Sequence, residues 1–591
     1  MNFSKRTLLF ILVLSFSGVL LISYAHAQTL SFVSTNANNP NSTLSFNGFS
    51  NQTTTDPRTA FYSIPYHPRD PSSFWAEKQH LDSAAQNSTS IQSGASISHI
   101  SHTAFVPSVT TYPGFNGIDV TAGGGFDPPD VAFAAGPSYV MELVNIKGEI
   151  WNKQGVSQQN LTLSSFFGLA SSDYDFLKNP KLLYDNSTSR WFASILDTRN
   201  ATVAIAISQS SNPTGSWYTI RDSFSTACPD QPRLGINDDK VVIAANIFAC
   251  PNSFLRSEYH VYSKTSLESG TKTMQNFTAN DFGIMPVQSQ SSTTTLYMVS
   301  DGGDSSTSSI LLYSLTGTVP SVSSSTSTVS VHTINTAADA VQVITGTTLD
   351  TGDTRPLDAA WYKGNLWFAL DDGCKPTGET TTRSCIRAIE LNTNTTKRIQ
   401  DFDINKTDTY YYYPALRFDG FGGMGTIFGI SNSTVYPSLI VTGQSIYDPA
   451  NSTKQLSYLK AGSEYENNPP PLSEITPYGK YFGAGLDPSN KTKVWVAGEY
   501  NTEPPGHTAP TWSTFIGSES FNCVPPSSGD WTVTSSCTLG ASSTAPANVI
   551  VDNGAVLTIP NAETLSLDFT HYHLYVSPGG GVYIAPGGKI S

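Results

Sequence analysis

Charged side chains are what this sequence has least of: Asp, Glu, Lys and Arg make up 13% of its 591 residues, with no block of like charges. The balance is acidic, −14 at pH 7. Nucleic acids and anionic membrane surfaces are held by clustered cations, so this composition argues against both as partners. Cysteine is equally sparse, at six. With no Cys-x-x-Cys and no Cys/His cluster at zinc spacing, a thiolate metal site is not expected. After residue 27 no stretch keeps an apolar period of 3.6, and none is long enough to cross a membrane as a helix. A Gly-x-Ser-x-Gly elbow with His and Asp partners is missing too, and with it the α/β-hydrolase chemistry.

What the sequence does contain is punctuation. Glycine (45) and proline (36) are abundant and aromatics reach 11%, as in chains of short strands separated by turns. Between residues 118 and 518 seven prolines precede short apolar runs: Pro129, Pro180, Pro232, Pro286, Pro356, Pro414 and Pro477. Their spacing of roughly 50 to 70 residues is that of a solenoid, propeller or array. Units such as "NPKLLYDNSTSRWFASILD", "DQPRLGINDDKVVIAANIF" and "TRPLDAAWYKGNLWFALDD" each read proline, short apolar run, polar turn, then a β-branched and aromatic run. Third apolar runs follow as "ATVAIAIS", "YHVYS" and "CIRAIEL". Proline cannot donate to a ladder, so it is expected to open each unit and not to interrupt one. The repeat predicts an all-β chain with a seven-bladed β-propeller over residues 111–520, six or eight blades being compatible as well. The fourth unit, "TTLYMVSDGGDSSTSSILLYSL", opens most weakly.

The flanks differ from the repeat. Lys5 and Arg6 precede an apolar run from Leu8 to Tyr24, and Ala25-His26-Ala27 supplies the small residues a signal peptidase needs. Residues 1–27 therefore read as a secretory signal peptide. The competing reading is an uncleaved anchor, which Ser15, Ser17, Gly18 and Ser23 weaken. Export fits the cysteines, whose sequence-local pairs Cys228/Cys250, Cys374/Cys385 and Cys523/Cys537 are disulfide candidates, although connectivity is not fixed by sequence. It also fits the sequons, among them Asn186 and Asn432 at expected turns, so the chain reads as a glycoprotein. Residues 28–110, rich in Ser, Thr, Asn, Gln and Pro, read as a mostly disordered spacer. The exception is Phe61–Leu81, whose aromatics suit docking onto the propeller or a partner. Residues 521–591 read as a small β-solenoid, or else a β-sandwich, because Val549, Val551, Val556, Leu557 and Ile559 recur as Leu574, Val576, Val582, Ile584 and Ile590.

Chemistry is thin. Residues beside the opening prolines would reach the mouth of a propeller channel, which makes Asp130, Lys181, Arg233, Arg355, Asp358 and Arg417 the ligand-binding candidates, with Asp127 and Asp230 nearby. A ring of Arg and Asp can hold an anionic or polyhydroxy ligand by charge-assisted hydrogen bonds, or its members can pair with one another as inter-blade salt bridges. Asp130, Asp230 and Asp358 could supply a glycosidase pair. Calcium is conceivable at Asp301 and Asp304 or at Asp371 and Asp372, where acidic turns more often serve only as turns. His571 and His573 read as a strand-face surface pair, and His99 and His102 lie in the spacer. Of the four tyrosines Tyr410–Tyr413, at least two are expected to face solvent or a groove, whereas Trp361 and Trp367 read as packing.

From Pro128 to about Thr273, the segments "PPDVAFAAGPSYVMELVN", "ATVAIAISQSSNPTGSWY" and "DQPRLGINDDKVVIAANIF" resemble exported bacterial and archaeal propeller proteins of mostly unassigned activity. More broadly the chain is similar to sialidase-like propellers, a resemblance that implies the fold. Sialidases use three arginines, a Tyr/Glu nucleophile pair and an Asp acid/base, and carry Ser-x-Asp-x-Gly-x-Thr-Trp turns. Here "SDGGDSST" at Ser300 is a poor approximation, so no catalytic set carries over. The expected function is that of a secreted or cell-surface binding module for glycan or another cell-envelope protein, without cofactor or catalysis. The alternatives are a sialidase-like or other polysaccharide-active enzyme and a structural envelope component.

Overall fold

The computed structural model describes residues 68–87, 109–224, 227–250, 253–303, 306–343, 347–466, 475–503, 511–534 and 536–591. The expected signal peptide, most of the expected spacer, His99, His102 and Asp304 lie outside the described residues. The described chain is all-β, with a β-propeller arrangement of antiparallel sheets. Five four-stranded sheets stand alone. They span Ala132–Thr162, Leu177–Ser223, Met285–Ile334 and Tyr410–Lys460, and the fifth joins three strands of 483–520 to Thr110–Asp119. In that last sheet Thr110 faces Ser520 and Asp119 faces Ser513, so the first strand after residue 109 closes the ring against the last. Closure leaves no end sheet of the ring without a neighbour, as an open array would.

Hydrophobic clusters lie between neighbouring sheets. Phe192, Val203 and Ile205 of one pack with Leu234, Val241 and Ile243 of the next. Trp367 and Ile386 pack in the same way with Leu416 and Phe428. A strand nearest the axis is thus covered on both faces, and Cys228–Ile236 and Tyr410–Phe418 are buried at every residue. An outermost strand such as Trp217–Ser223 is mostly half-buried or exposed, with only Asp222 buried. Two-sided burial also corrects the tyrosine expectation: Tyr410, Tyr411, Tyr412 and Tyr413 are all at most 2% exposed. Tyr411 packs into one inter-sheet cluster and the other three into another. Trp361 and Trp367 are buried, as expected.

The prolines behave differently from the expectation that they open strands. Pro180, Pro232 and Pro414 lie inside the innermost strands Leu177–Asp185, Cys228–Ile236 and Tyr410–Phe418. Each sits at a register shift, between Lys178 and Lys181, Asp230 and Arg233, or Tyr412 and Ala415. The residue before each has a left-handed backbone: Asn179 (φ 50°), Gln231 (φ 51°) and Tyr413 (φ 56°). A bulge leaves one residue out of the ladder, so the missing proline N–H costs nothing there.

The weak fourth unit has a structural cause. Met285–Pro286 pairs with Leu296–Ser300 over two residues, and the chain then steps sideways. Gln288–Ser289 forms parallel pairs with Cys228–Ile236 on one side and Asp358–Tyr362 on the other. This two-residue stitch merges two four-stranded runs, within 228–279 and 358–404, into one nine-stranded sheet.

After Ser520 the pairing turns parallel. Three small sheets run Asn522–Cys523 to Gly581–Ile584, Trp531–Val533 to Leu574–Val576, and Ser543–Thr544 to Lys589–Ile590. Val549 pairs with Leu574, Val551 with Val576, Leu557 with Val582 and Ile559 with Ile584, the recurrences visible in the sequence. His571 stands in the turn before Leu574–Val576, and His573 immediately before it, rather than on a strand face. His571 Nδ1 contacts Asp568 at 2.7 Å instead of sharing a metal with His573. Three disulfides form, Cys228–Cys250, Cys374–Cys385 and Cys523–Cys537. Within residues 28–110, the segment Pro71–Asn87 is helical (α1), and it buries Phe74 and Lys78. Burying two such anchors offsets part of the entropy cost of ordering the helix.

Candidate functional site

The channel has two ends of unlike chemistry. Toward the proline bulges the structure gathers all six candidate residues; Asp130, Arg233, Arg355, Asp358 and Arg417 are buried and Lys181 is half-buried. Arg417 Nη1 donates to Asp358 Oδ2 at 2.5 Å across two neighbouring strand runs, and the same carboxylate accepts from the Leu416 and Ala359 N–H groups at 3.0 and 2.9 Å. Arg355 donates through Nε and Nη2 to Asp353 at 2.5–2.7 Å. Asp130 accepts from Asn179 Nδ2 at 2.8 Å. Lys181 Nζ lies 3.0 Å from the centroid of the Tyr481 ring. Burial pulls its amine down to about 7, offset in part by Asp130. Arg233 is 2% exposed. Its Nη1 reaches Ile284 O at 3.5 Å, while Nε and Nη2 have no hydrogen-bond partner among the described residues. Burial lowers its pKa as well, and the adjoining Arg355 adds to this. Nearby Asp301, accepting from Thr354 Oγ1 at 2.7 Å, is raised to about 7 by burial.

Beside Arg355 and Asp353 the free volume is about 20 Å³, room for a single water. Gln231, Tyr413 and Lys480 line it, and all three have positive φ. Full side chains rarely adopt that backbone, so the packing of the surrounding sheets must hold it. The carboxylates considered for calcium are engaged elsewhere: both Asp371 oxygens accept from Tyr413 N–H, and Asp372 Oδ1 accepts from Asn335 N–H. Among the described residues no three His, Cys, Asp or Glu side chains converge as metal ligands. Sequence reasoning missed Asp353, Lys480 and Tyr481. Asp353 stands two residues before Arg355, and "PYGKYFG" belongs to the seventh unit.

At the far ends of the same strands lies an open cup of about 450 Å³. Its rim is made of Asn186, Ser187, Asn237, Asp238 and the run Gln288–Ser292. Gln290 reaches the end of the strand Tyr410–Phe418, where Nε2 donates to Phe418 O at 2.9 Å and Oε1 accepts from Phe418 N at 2.8 Å. Gln288 Nε2 donates to Tyr184 O at 3.0 Å. Asp185 is neutralised by Lys264 at 2.6 Å. Amides, hydroxyls and main-chain groups dominate, which suits a neutral, polyhydroxylated guest better than an ion. The sequence signal was the polar run "QSQSS", where other units continue with apolar residues.

No family model matches this chain, and none of the curated proteins does. Solved propeller structures are similar to it at low identity. A Trypanosoma rangeli sialidase in complex with 2,3-difluorosialic acid is 11% identical with a TM-score of 0.32, over 65% of this chain and 59% of that one. An α-L-arabinofuranosidase of Fusarium graminearum is 12% identical with a TM-score of 0.34, over 58% and 93%. The WD40 domain of SCAP from fission yeast is 8% identical with a TM-score of 0.31, over 66% and 95%. The chain thus spans less than two thirds of the sialidase's length.

Proposed function

We propose that this chain is a secreted or cell-surface binding module that takes a neutral glycan in the cup beside Gln288–Ser292, and that it is not an enzyme. The observation that carries the reading is the contrast between the two ends. Two of the arginines at the charged end are committed to carboxylates, and the space beside one of them, Arg355, is the size of one water. The other end, where amides and hydroxyls outnumber the Asp185 and Asp238 carboxylates, keeps about 450 Å³ open. In this reading the two runs joined by the Gln288–Ser289 stitch are two further blades, giving seven, and the parallel stack after Ser520 is a β-solenoid. Three disulfides and the lack of any long apolar helix among the described residues are compatible with an extracellular protein. Eight sequon asparagines on the propeller sheets and their loops are exposed, Asn186 at the cup rim among them, so modification there would crowd the guest. A glycan-array screen of the full chain, followed by hydrolysis assays on the hits, tests the reading. Binding without turnover supports it; turnover of a bound glycan, or no binding to any glycan, sinks it.

A further inference from the structure

Helix α1 carries a lysine with an unusual setting. Lys78 and Asp339 are both 0% exposed, with Nζ 2.6 Å from Oδ1. Oδ1 also faces Thr351 N at 3.3 Å and Thr351 Oγ1 at 3.4 Å, and Thr351 Oγ1 lies 2.8 Å from Lys78 Nζ. The second oxygen, Oδ2, is buried without a hydrogen-bond partner among the described residues. A second acid stands beside the pair: Asp82 Oδ1 accepts from the Asp339 N–H at 3.1 Å. Burial and the Asp339 charge raise Asp82 to about 7, and burial and Asp339 raise Asp350 to about 6.

We propose that Lys78 and Asp339 condense into an amide that staples helix α1 covalently to the propeller. The bond forms between Nζ and Cγ of Asp339, and the bond from Cγ to Oδ2 breaks. The ammonium loses two protons to Oδ2, which leaves as water, and one N–H remains in the amide. Atoms and charge balance with no co-reactant. The Thr351 hydroxyl donates to Ala338 O at 3.0 Å, which leaves the Thr351 N–H as the donor where the oxyanion on Oδ1 would develop, and Asp82 is placed to relay a proton from the amine to the leaving oxygen. Burial pulls the Lys78 amine down, but the Asp339, Asp350 and Asp82 charges more than reverse this, so the resting form is an ammonium. Freeing the amine is therefore uphill, which a reaction that happens once per molecule tolerates. The gain is the removal of two charges from a dry site, where each costs several kcal/mol to desolvate.

Another buried lysine supplies the contrast. Lys264 is 2.6 Å from Asp185, but Ser187 and Thr188 hydroxyls occupy both oxygens of that carboxylate. Lys264 is further held by Ser187 Oγ and Asn237 O. That pair is complete as an ion pair and should stay one.

The test is peptide mapping of the full chain, reduced, denatured and digested with chymotrypsin, by tandem mass spectrometry. A branched peptide joining Lys78 to Asp339, lighter than its two parts by one water, is expected, with the Lys264 peptide unbranched. It should vanish in Lys78→Arg and Asp339→Ala, and Asp82→Asn should slow its formation roughly a hundredfold. Recovery of both wild-type peptides unbranched overturns the staple even if every variant misfolds. So does a branch at Lys264 instead, or formation at an unchanged rate in Asp82→Asn.

Discussion

The charged and the neutral ends of the channel are built from the same innermost strands, yet one is sealed and the other open. At the charged end, proline bulges turn long side chains inward and the chain spends them on one another. At the other end the strands finish mainly in Asn, Ser and Gln, whose short side chains leave a cavity open. Charge therefore marks where the ring is held together, and its scarcity marks where a guest can enter.

The sharpest way to break this comparison is at Arg417. Replacing it by methionine strands Asp358 without its cation, and a loss of about 3–5 kcal/mol in urea unfolding is expected. Guest binding by the surviving folded protein should be unchanged; a binding defect without a stability loss would reverse the assignment of the two ends. Next comes Gln290→Ala, which leaves the Phe418 N–H and C=O unpartnered beside the cup. About 1–3 kcal/mol of stability should go, with weakened glycan binding measured by calorimetry. Ser292→Trp should fill the cup and reduce affinity roughly tenfold or more with an unchanged thermal midpoint. The smallest effect is expected at Lys181. Its amine is lowered from 10.5 to about 7 in the folded chain, so the unfolded chain binds that proton first and stability falls as pH drops from above 10.5 toward 7. Lys181→Met removes the penalty, and its gain in midpoint, roughly a few degrees, should be larger at about pH 6 than at about pH 9.

The repeat, the local cysteine pairs and the parallel recurrences after Val549 were legible in the sequence because each is set by local pattern: alternation, turn residues and short sequence separation. The meeting of Lys181, Arg233, Arg355 and Arg417 was legible for the same reason, since equivalent positions of a ring share an axis. What pattern does not encode is which face of a strand is covered. Tyr410–Tyr413 looked too many to bury at once, but an innermost strand has a neighbour on each side. Nor does pattern encode a step between sheets: Gln288–Ser289 is a short polar run in the sequence, and in the fold it is the stitch at the rim of the cup. Lys78 was invisible, because a lone lysine in a polar stretch looks like solvent-facing charge until its partner, some 260 residues on, is placed by the fold.

Ring closure also sets how the molecule bears load. Thr110 and Ser520 face each other at one end of the ladder between the closing strands. A pull applied between these two positions meets the ladder at its open end and parts its hydrogen bonds one after another instead of all together. The propeller is thus mechanically weakest at the seam where its chain enters and leaves, and tension across that seam would unzip the ring before any other sheet is strained.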